Sequence, residues 1–132
     1  MVPSSLNLNC CFVVEQVVFN VGQVVHVLSE GCNGVIGGWD LTLKAPDDWI
    51  TDVYGTHPDK SILSSPHYLV FLDVRQLDTD QMEMTYVAQD DLEEIEFPKR
   101  VISLMAEEYF EGFSNGRHQM RPWLKQLYPN DS

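Results

Sequence analysis

Basic residues are scarce in this chain of 132 residues. Eight Lys and Arg stand against twenty Asp and Glu, so the formal net charge is −12 at pH 7 and the isoelectric point is near 4.4. A surface that binds nucleic-acid phosphates needs clustered Lys and Arg, and so does one that docks on an anionic membrane. The charge therefore argues against a general nucleic-acid binder and favours a partner with a basic or neutral surface.

Long apolar runs, an early positive charge and paired cysteines are also missing. The best apolar stretch, 10–18, is interrupted by Glu15 and Gln16 and falls short of the about 18 residues of a transmembrane helix. The first basic residue is Lys44, so we expect neither a signal peptide nor a transit peptide. Three cysteines without a CxxC pair predict no disulfide framework and no zinc site. We therefore expect an intracellular protein, cytoplasmic or nuclear.

Signatures of catalysis and of cofactor binding are absent from the sequence. There is no Gly-x-Ser-x-Gly motif, and none of the four histidines lies four residues from another. The glycines within 31–38 are followed by Trp39 and Asp40 rather than by the Lys-Ser/Thr of a phosphate loop. The stretch 78–83 resembles the start of a calcium loop but has Glu83 where glycine is needed. We predict no enzyme, no cofactor and no metal site.

The patterns that are present predict a mainly β domain followed by one or two helices. We divide the chain into an N-terminal extension (1–18), a small β-barrel (19–97) and a C-terminal helical segment that packs on the barrel (98–132). The extension is either an added edge strand or an unordered segment.

Within the barrel, β-branched and aromatic runs predict strands at 21–27, 35–39, 67–74 and 84–88, with a long connection at 41–66. Apolar residues at helical spacing after Pro98, as far as Phe113, predict a helix that Gly112 and Gly116 end. A second, shorter helix is expected at 122–128.

Acidic residues and aromatic rings are the candidates for a binding surface. Nine carboxylates against one arginine give the stretch 73–96 a formal charge of −8. This stretch is either a solvated loop and sheet edge or a docking face for a basic partner. The rings of Trp39, Trp49, Tyr68 and Tyr86 are expected near the barrel, in its core or along a groove that accepts a peptide.

Four segments together resemble the YccV-like family, also called the hemimethylated DNA-binding protein family. They lie at 19–25 (Phe-Asn-Val-Gly-Gln-Val-Val), 31–40 (Gly-Cys-Asn-Gly-Val-Ile-Gly-Gly-Trp-Asp), 66–71 (Pro-His-Tyr-Leu-Val-Phe) and 86–93 (Tyr-Val-Ala-Gln-Asp-Asp-Leu-Glu). The sequence looks closest to the C-terminal domain of certain eukaryotic F-box-only proteins, because Trp49-Ile50 and segments at 109–113 and 127–131 also match. One departure is Val27, where the family usually carries a histidine.

The resemblance implies a small SH3-like β-barrel without catalytic activity. It implies two activities, an adaptor role in substrate selection by proteases or ubiquitin ligases and binding of hemimethylated DNA. We predict the first, a protein-interaction module, with candidate partner-binding residues Trp39, Asp40, Trp49, Tyr68, Tyr86 and Gln89. For the alternative of DNA binding, the candidate contacts are the cations of the last third, Lys99, Arg100, Arg117, Arg121 and Lys125.

Overall fold

The computed structural model of the chain describes residues 16–131. Its strands are β1 (Val24–Val27), β2 (Cys32–Asp40), β3 (His67–Leu72), β4 (Met84–Ala88), β5 (Leu92–Glu94), β6 (Phe110–Ser114) and β7 (Arg117–Met120). Its helices are α1 (Asp47–Tyr54), α2 (Lys60–Leu63), α3 (Leu104–Tyr109) and α4 (Pro122–Leu127). The predicted mainly β class is confirmed. Over residues 16–131, every helix is too short or too polar to cross a membrane.

Five strands form one antiparallel sheet in the order β4-β3-β2-β1-β5. The predicted barrel is not closed, because β4 and β5 are the two edges of this sheet and do not pair with each other. A 3₁₀ turn, Gln89–Asp91, separates them and carries the chain to the far edge, where the Leu28 N–H donates to the Asp91 carbonyl at 2.9 Å. Among residues 16–131, the sheet therefore has an unpaired edge at β4, which we call the open seam.

The core lies where β2 and β3 pack most closely. Phe71, Tyr68 and Ile36 are fully buried there, among a cluster that reaches α3 and α4 through Ala106 and Leu124. The register of β2 on β3 shifts between Ile36 and Gly38. A β carbon on Gly37 would lie 2.4 Å from the Phe71 ring, so this close approach requires glycine.

The connection at 41–66, expected as a loop, contains the two short helices α1 and α2. Asp47 and Asp48 occupy the first turn of α1, where carboxylates interact favourably with the positive end of the helix dipole. None of the residues of α1 is fully buried, so the helix packs against the sheet mainly through its half-buried Trp49 and Tyr54.

Only part of the helix predicted from Pro98 to Gly112 and Gly116 is present, and the rest of that prediction is wrong. The chain stays without regular structure until Ser103, whose hydroxyl caps α3 by accepting from the Ala106 N–H, and α3 ends at Tyr109. The following residues form the hairpin β6–β7 instead, because Asn115 and Gly116 both adopt positive φ and make a tight turn. The second predicted helix is confirmed as α4, with Pro122 in its first turn.

The N-terminal extension lies mostly outside the described residues, which begin at Gln16. The part that is described runs past the end of β4. There the Gln89 side-chain amide donates to the Gln16 carbonyl at 3.1 Å and accepts from the Val18 N–H at 3.1 Å.

Candidate functional site

Four rings meet where α1 packs on the sheet, and we call Trp49, Tyr54, His67 and Tyr86 the aromatic cluster. Tyr86 on β4 stacks on His67 of β3, with their ring centroids 5.3 Å apart. From α1, Trp49 meets Tyr86 edge-on at 5.6 Å, and Tyr54 meets His67 at 6.0 Å. The structure thus brings together two of the residues expected to bind a partner, Trp49 and Tyr86.

The hydrogen bonds of His67 make it a structural member of the cluster. Its Nδ1 lies 2.9 Å from the Ser65 carbonyl, so Nδ1 carries the proton and donates. Its Nε2 therefore accepts from the Tyr54 hydroxyl, 3.0 Å away. Burial lowers the pKa of His67, so the ring is neutral near pH 7 and both of its nitrogens are already used.

The hydroxyl of Tyr86 is anchored from two sides. It donates to Asp40 Oδ2 at 2.8 Å and accepts from the Lys44 N–H at 3.1 Å. Burial is the main cause that raises the pKa of Tyr86, and the nearby Asp40 carboxylate raises it further against the effect of the Lys44 bond. The phenol therefore stays protonated, and its ring is held rigidly at the edge of the sheet.

A groove of about 790 Å³ follows the open seam, and we call it the β4 groove. Its floor includes all of β4, and Trp49, Val53 and Tyr54 of α1 form part of its wall. Several apolar side chains there are exposed to solvent, with Met82 72% and Val53 52% accessible. The remaining lining residues are Ser29, Glu30, Leu69, Asp90 and Asp91.

The charged residues of the β4 groove all carry the same sign. Glu30, Asp90 and Asp91 line it, and within residues 16–131 no Lys or Arg does. Asp91 is fixed by bonds from the Ser29 N–H, at 2.9 Å, and from the Ser29 hydroxyl, while Gln81 donates to Glu30 Oε1 at 3.2 Å. Asp90 is exposed. The groove therefore combines apolar side chains with a negative rim.

Trp39 and Asp40 lie on the other side of Tyr86, beside a smaller cleft of about 240 Å³. Trp39 Nε1 donates to Asp131 Oδ2 at 2.8 Å, and the Trp39 ring packs on Tyr128 with a centroid distance of 5.2 Å. The segment after α4 thus covers part of Trp39. Asp40 contributes to this region by accepting a hydrogen bond from the Tyr86 hydroxyl.

Tyr68 and Gln89 anchor the start of the described chain. Tyr68 has no accessible surface, and its hydroxyl donates to Gln89 Oε1 while accepting from the Val18 and Phe19 N–H groups. Neither residue lines the β4 groove.

The five basic residues predicted to contact DNA lie in different environments. Arg100 and Arg121 line a cleft of about 510 Å³ beside α3, which we call the α3 cleft. Arg121 donates to the Glu107 carbonyl at 2.7 Å, and Arg117 donates to the Val21 carbonyl at 2.9 Å and to the carbonyl of Asp131. Lys99 and Lys125 are exposed. Three carboxylates, Glu83, Glu107 and Glu111, also line the α3 cleft.

His118 lies in the wall of the α3 cleft and is almost fully buried. Its Nε2 accepts from the Val101 N–H at 3.0 Å, which places the proton on Nδ1. Burial lowers the pKa of His118 to about 4, and the nearby Arg100 contributes in the same direction.

Metal binding and thiol chemistry find no support among residues 16–131. No group of three His, Cys, Asp or Glu side chains in that part of the chain could hold a metal ion. Cys32 is buried, and burial, followed by Glu30 and Asp73, raises the pKa of its thiol, which disfavours the reactive thiolate.

Sequence reasoning missed the apolar half of the β4 groove. Val53 lies in a connection expected to have no regular structure, and Met82 lies in an expected loop. Met84 did carry a signal for an exposed apolar residue. It follows a polar stretch and begins a strand, and a methionine in that position can face solvent at the edge of a sheet.

Comparison with known protein families identifies a match over most of the chain. A family model described as "Hemimethylated DNA-binding protein YccV like" matches residues 17–117. No curated protein and no solved structure matches the chain significantly.

Proposed function

The chain belongs to the YccV-like family of hemimethylated DNA-binding proteins, and from this premise we propose that it is a non-enzymatic binding domain whose ligand is a protein. As the resemblance to F-box-only proteins suggests, the domain selects substrates in regulated proteolysis, inside the cell. For the fold, we propose the SH3-like barrel that the resemblance implies, with the β4 groove in its open seam.

The β4 groove is the observation that carries this proposal. It is large, hydrogen bonds fix the hydroxyls of its Tyr54 and Tyr86 rings, and it exposes Met82, Met84 and Val53 to solvent. Exposed apolar side chains grouped beside rigid aromatic rings are typical of surfaces that bind proteins. The rim of carboxylates repels the phosphates of DNA and attracts basic side chains.

The arrangement of polar groups supports binding rather than catalysis. The two buried histidines, His67 and His118, have lowered pKa values and use nitrogens in bonds to their own chain. The Tyr86 hydroxyl donates its hydrogen bond to the Asp40 carboxylate. A general acid or base must reach a substrate proton, and these groups are committed elsewhere.

Site-specific photo-crosslinking tests the protein-binding proposal. A photoreactive residue at Met82 in the β4 groove is compared with one at Phe97, which is 78% accessible and lies outside the groove. We expect crosslinks from position 82 to subunits or substrates of a ligase or protease, and none of these from position 97. An equal crosslinking pattern at the two positions contradicts the proposal.

Binding of hemimethylated DNA is the second candidate, favoured by the family description and by the guanidinium groups of Arg100 and Arg121 in the α3 cleft. If DNA is the ligand, duplex affinity falls as salt rises above about 50 mM, and the Arg100→Ala and Arg121→Ala changes weaken it. Lys60→Ala, at an exposed position on α2, is the matched control. No binding to hemimethylated or unmodified duplex at low salt contradicts this candidate.

A further inference from the structure

The backbone of β4 has one paired side and one free side. The Leu72 N–H donates to the Glu83 carbonyl at 2.8 Å, and the Gln89 N–H donates to the Pro66 carbonyl at 3.0 Å. In an antiparallel pair such bonds alternate along the strand, so Thr85 and Val87 turn their backbone groups toward β3. Met84, Tyr86 and Ala88 therefore turn theirs away from the sheet.

All but one of these outward groups have no partner within residues 16–131. The exception is the Ala88 carbonyl, which caps the 3₁₀ turn Gln89–Asp91 and accepts from the Asp91 N–H. β4 is the last strand of the sheet in that part of the chain, and no bond there involves the other outward N–H and C=O groups of Met84, Tyr86 and Ala88. A row of three donors and two acceptors on an edge strand is a template for another extended chain. All three residues line the β4 groove.

We propose that the β4 groove binds an extended polypeptide segment in which Lys or Arg residues lie between apolar ones, and that this segment pairs with Met84, Tyr86 and Ala88 as an added strand. This inference rests on the proposed function, because it names the kind of protein segment that the same groove accepts. Main-chain hydrogen bonds supply affinity in this mode of recognition, and the pockets for alternate side chains supply specificity.

The lining of the β4 groove supplies both kinds of contact that such a segment needs. In a strand, successive side chains point to opposite sides, so one set can be apolar and the other charged. Trp49, Val53 and Met84 offer apolar surface to the first set. Glu30, Asp90 and Asp91 offer carboxylates to the second set, which must then be basic.

The same charges decide against a second copy of this chain as the occupant. Two β4 strands that paired edge to edge would bring together two rims of carboxylates in a protein whose net charge is −12. Like charges placed across a strand pair are destabilising. A basic segment from another protein meets no such repulsion.

Three synthetic peptides test the proposal on the full chain by fluorescence anisotropy. The first alternates Val and Lys, the second alternates Val and Glu, and the third repeats the first with N-methyl groups on alternate backbone amides. We expect the first to bind and the second to fail, and we expect the third to bind at least about tenfold more weakly because strand pairing needs free amides. Equal binding of the first and third peptides overturns strand addition, and equal binding of the first and second overturns the basic partner.

Hydrogen exchange and charge-removing variants test whether the peptide binds at β4. On adding the Val-Lys peptide, we expect slower hydrogen exchange at the amides of Met84, Tyr86 and Ala88. The double change Glu30→Gln and Asp90→Asn should raise the dissociation constant roughly three- to tenfold. Glu108→Gln, an exposed position on α3 outside the groove, is the matched control and should leave it unchanged. Unchanged exchange at the three amides overturns the proposal.

Failure here is distinguishable from failure of the proposed function. If position 82 crosslinks to other proteins but none of the peptides binds, the groove binds protein in another way and only the added strand is overturned. If position 82 crosslinks instead to residues 1–15 of the chain or to a second copy, the occupant proposed here is overturned as well.

Discussion

The hydroxyl of Tyr68 is one oxygen atom on which three parts of the chain converge. It is buried, accepts from the N–H groups of Val18 and Phe19 at 3.2 and 3.3 Å, and donates to Gln89. We expect Tyr68→Phe to lower the free energy of unfolding by about 1–3 kcal/mol, because the buried Phe19 N–H loses its acceptor and the buried bond to Gln89 is lost. Urea denaturation measures the loss.

Tyr109→Phe is the control for this change. Within residues 16–131, the Tyr109 hydroxyl makes no hydrogen bond, although its ring packs on Phe71. We expect its removal to change stability by less than about 0.5 kcal/mol. A similar loss in the two variants is evidence against the role given to the Tyr68 hydroxyl.

His118 makes stability depend on pH. Its pKa is lowered to about 4 by burial and by Arg100, whereas an unfolded histidine titrates near 6.5. Below pH 6.5 the unfolded chain therefore binds more protons than the folded one, so stability is complete above that pH and falls as the pH drops toward 4. The shift corresponds to a loss of about 3 kcal/mol across that window.

The pH dependence is measured by urea denaturation at steps between pH 7 and 4.5. In His118→Gln no proton is taken up at this position, so we expect a shallower fall of the free energy of unfolding than in the wild type. Two parallel curves contradict the assignment. Nuclear magnetic resonance titration of the His118 ring provides a direct reading of its pKa.

At the scale of elements, β2 and β3 approach each other because Gly37 has no side chain. A β carbon on Gly37 would lie 2.4 and 2.7 Å from two carbon atoms of the Phe71 ring. Phe71 is fully buried. We expect Gly37→Ala to lower the free energy of unfolding by about 1–3 kcal/mol through overpacking. Gly112→Ala on β6 is the control, since a β carbon there meets nothing within 4 Å. Equal denaturation midpoints for the two variants contradict this reason for the glycine.

The sequence predicts those elements whose pattern is local and misses those decided by packing. Strand β4 was predicted from its β-branched and aromatic residues, and helix α4 from Pro122 at its start. Both are found at the predicted positions. The stretch after Pro98 has helical spacing, but Asn115 and Gly116 make a hairpin turn, and β7 pairs with Gln23 through Arg117. Contacts this distant in sequence leave no periodic signal, and for the same reason Val53 and Met82 could not be assigned to the site.

At the scale of the whole molecule, the distribution of charge matters more than its sum. The net charge of −12 alone argued against nucleic acid, yet the α3 cleft contains Arg100 and Arg121 beside three carboxylates, whereas the charged residues that line the β4 groove within residues 16–131 are all carboxylates. The two candidate functions therefore belong to two different surfaces. A variant that changes one surface should leave binding at the other intact.

Net charge and the free edge of β4 act in opposite directions on self-association. At pH 7 the charge of −12 keeps copies apart, but near the isoelectric point of 4.4 this repulsion disappears, and the edge of β4 that is unpaired within residues 16–131 can associate. We expect light scattering to show a monomer at pH 7 and association near pH 4.4, with circular dichroism confirming that the chain stays folded. Met84→Lys places a charge on the edge and should reduce association, whereas Leu104→Lys, at a 71% accessible position outside the groove, should not. If both lysine variants associate equally, the contact lies elsewhere than on β4.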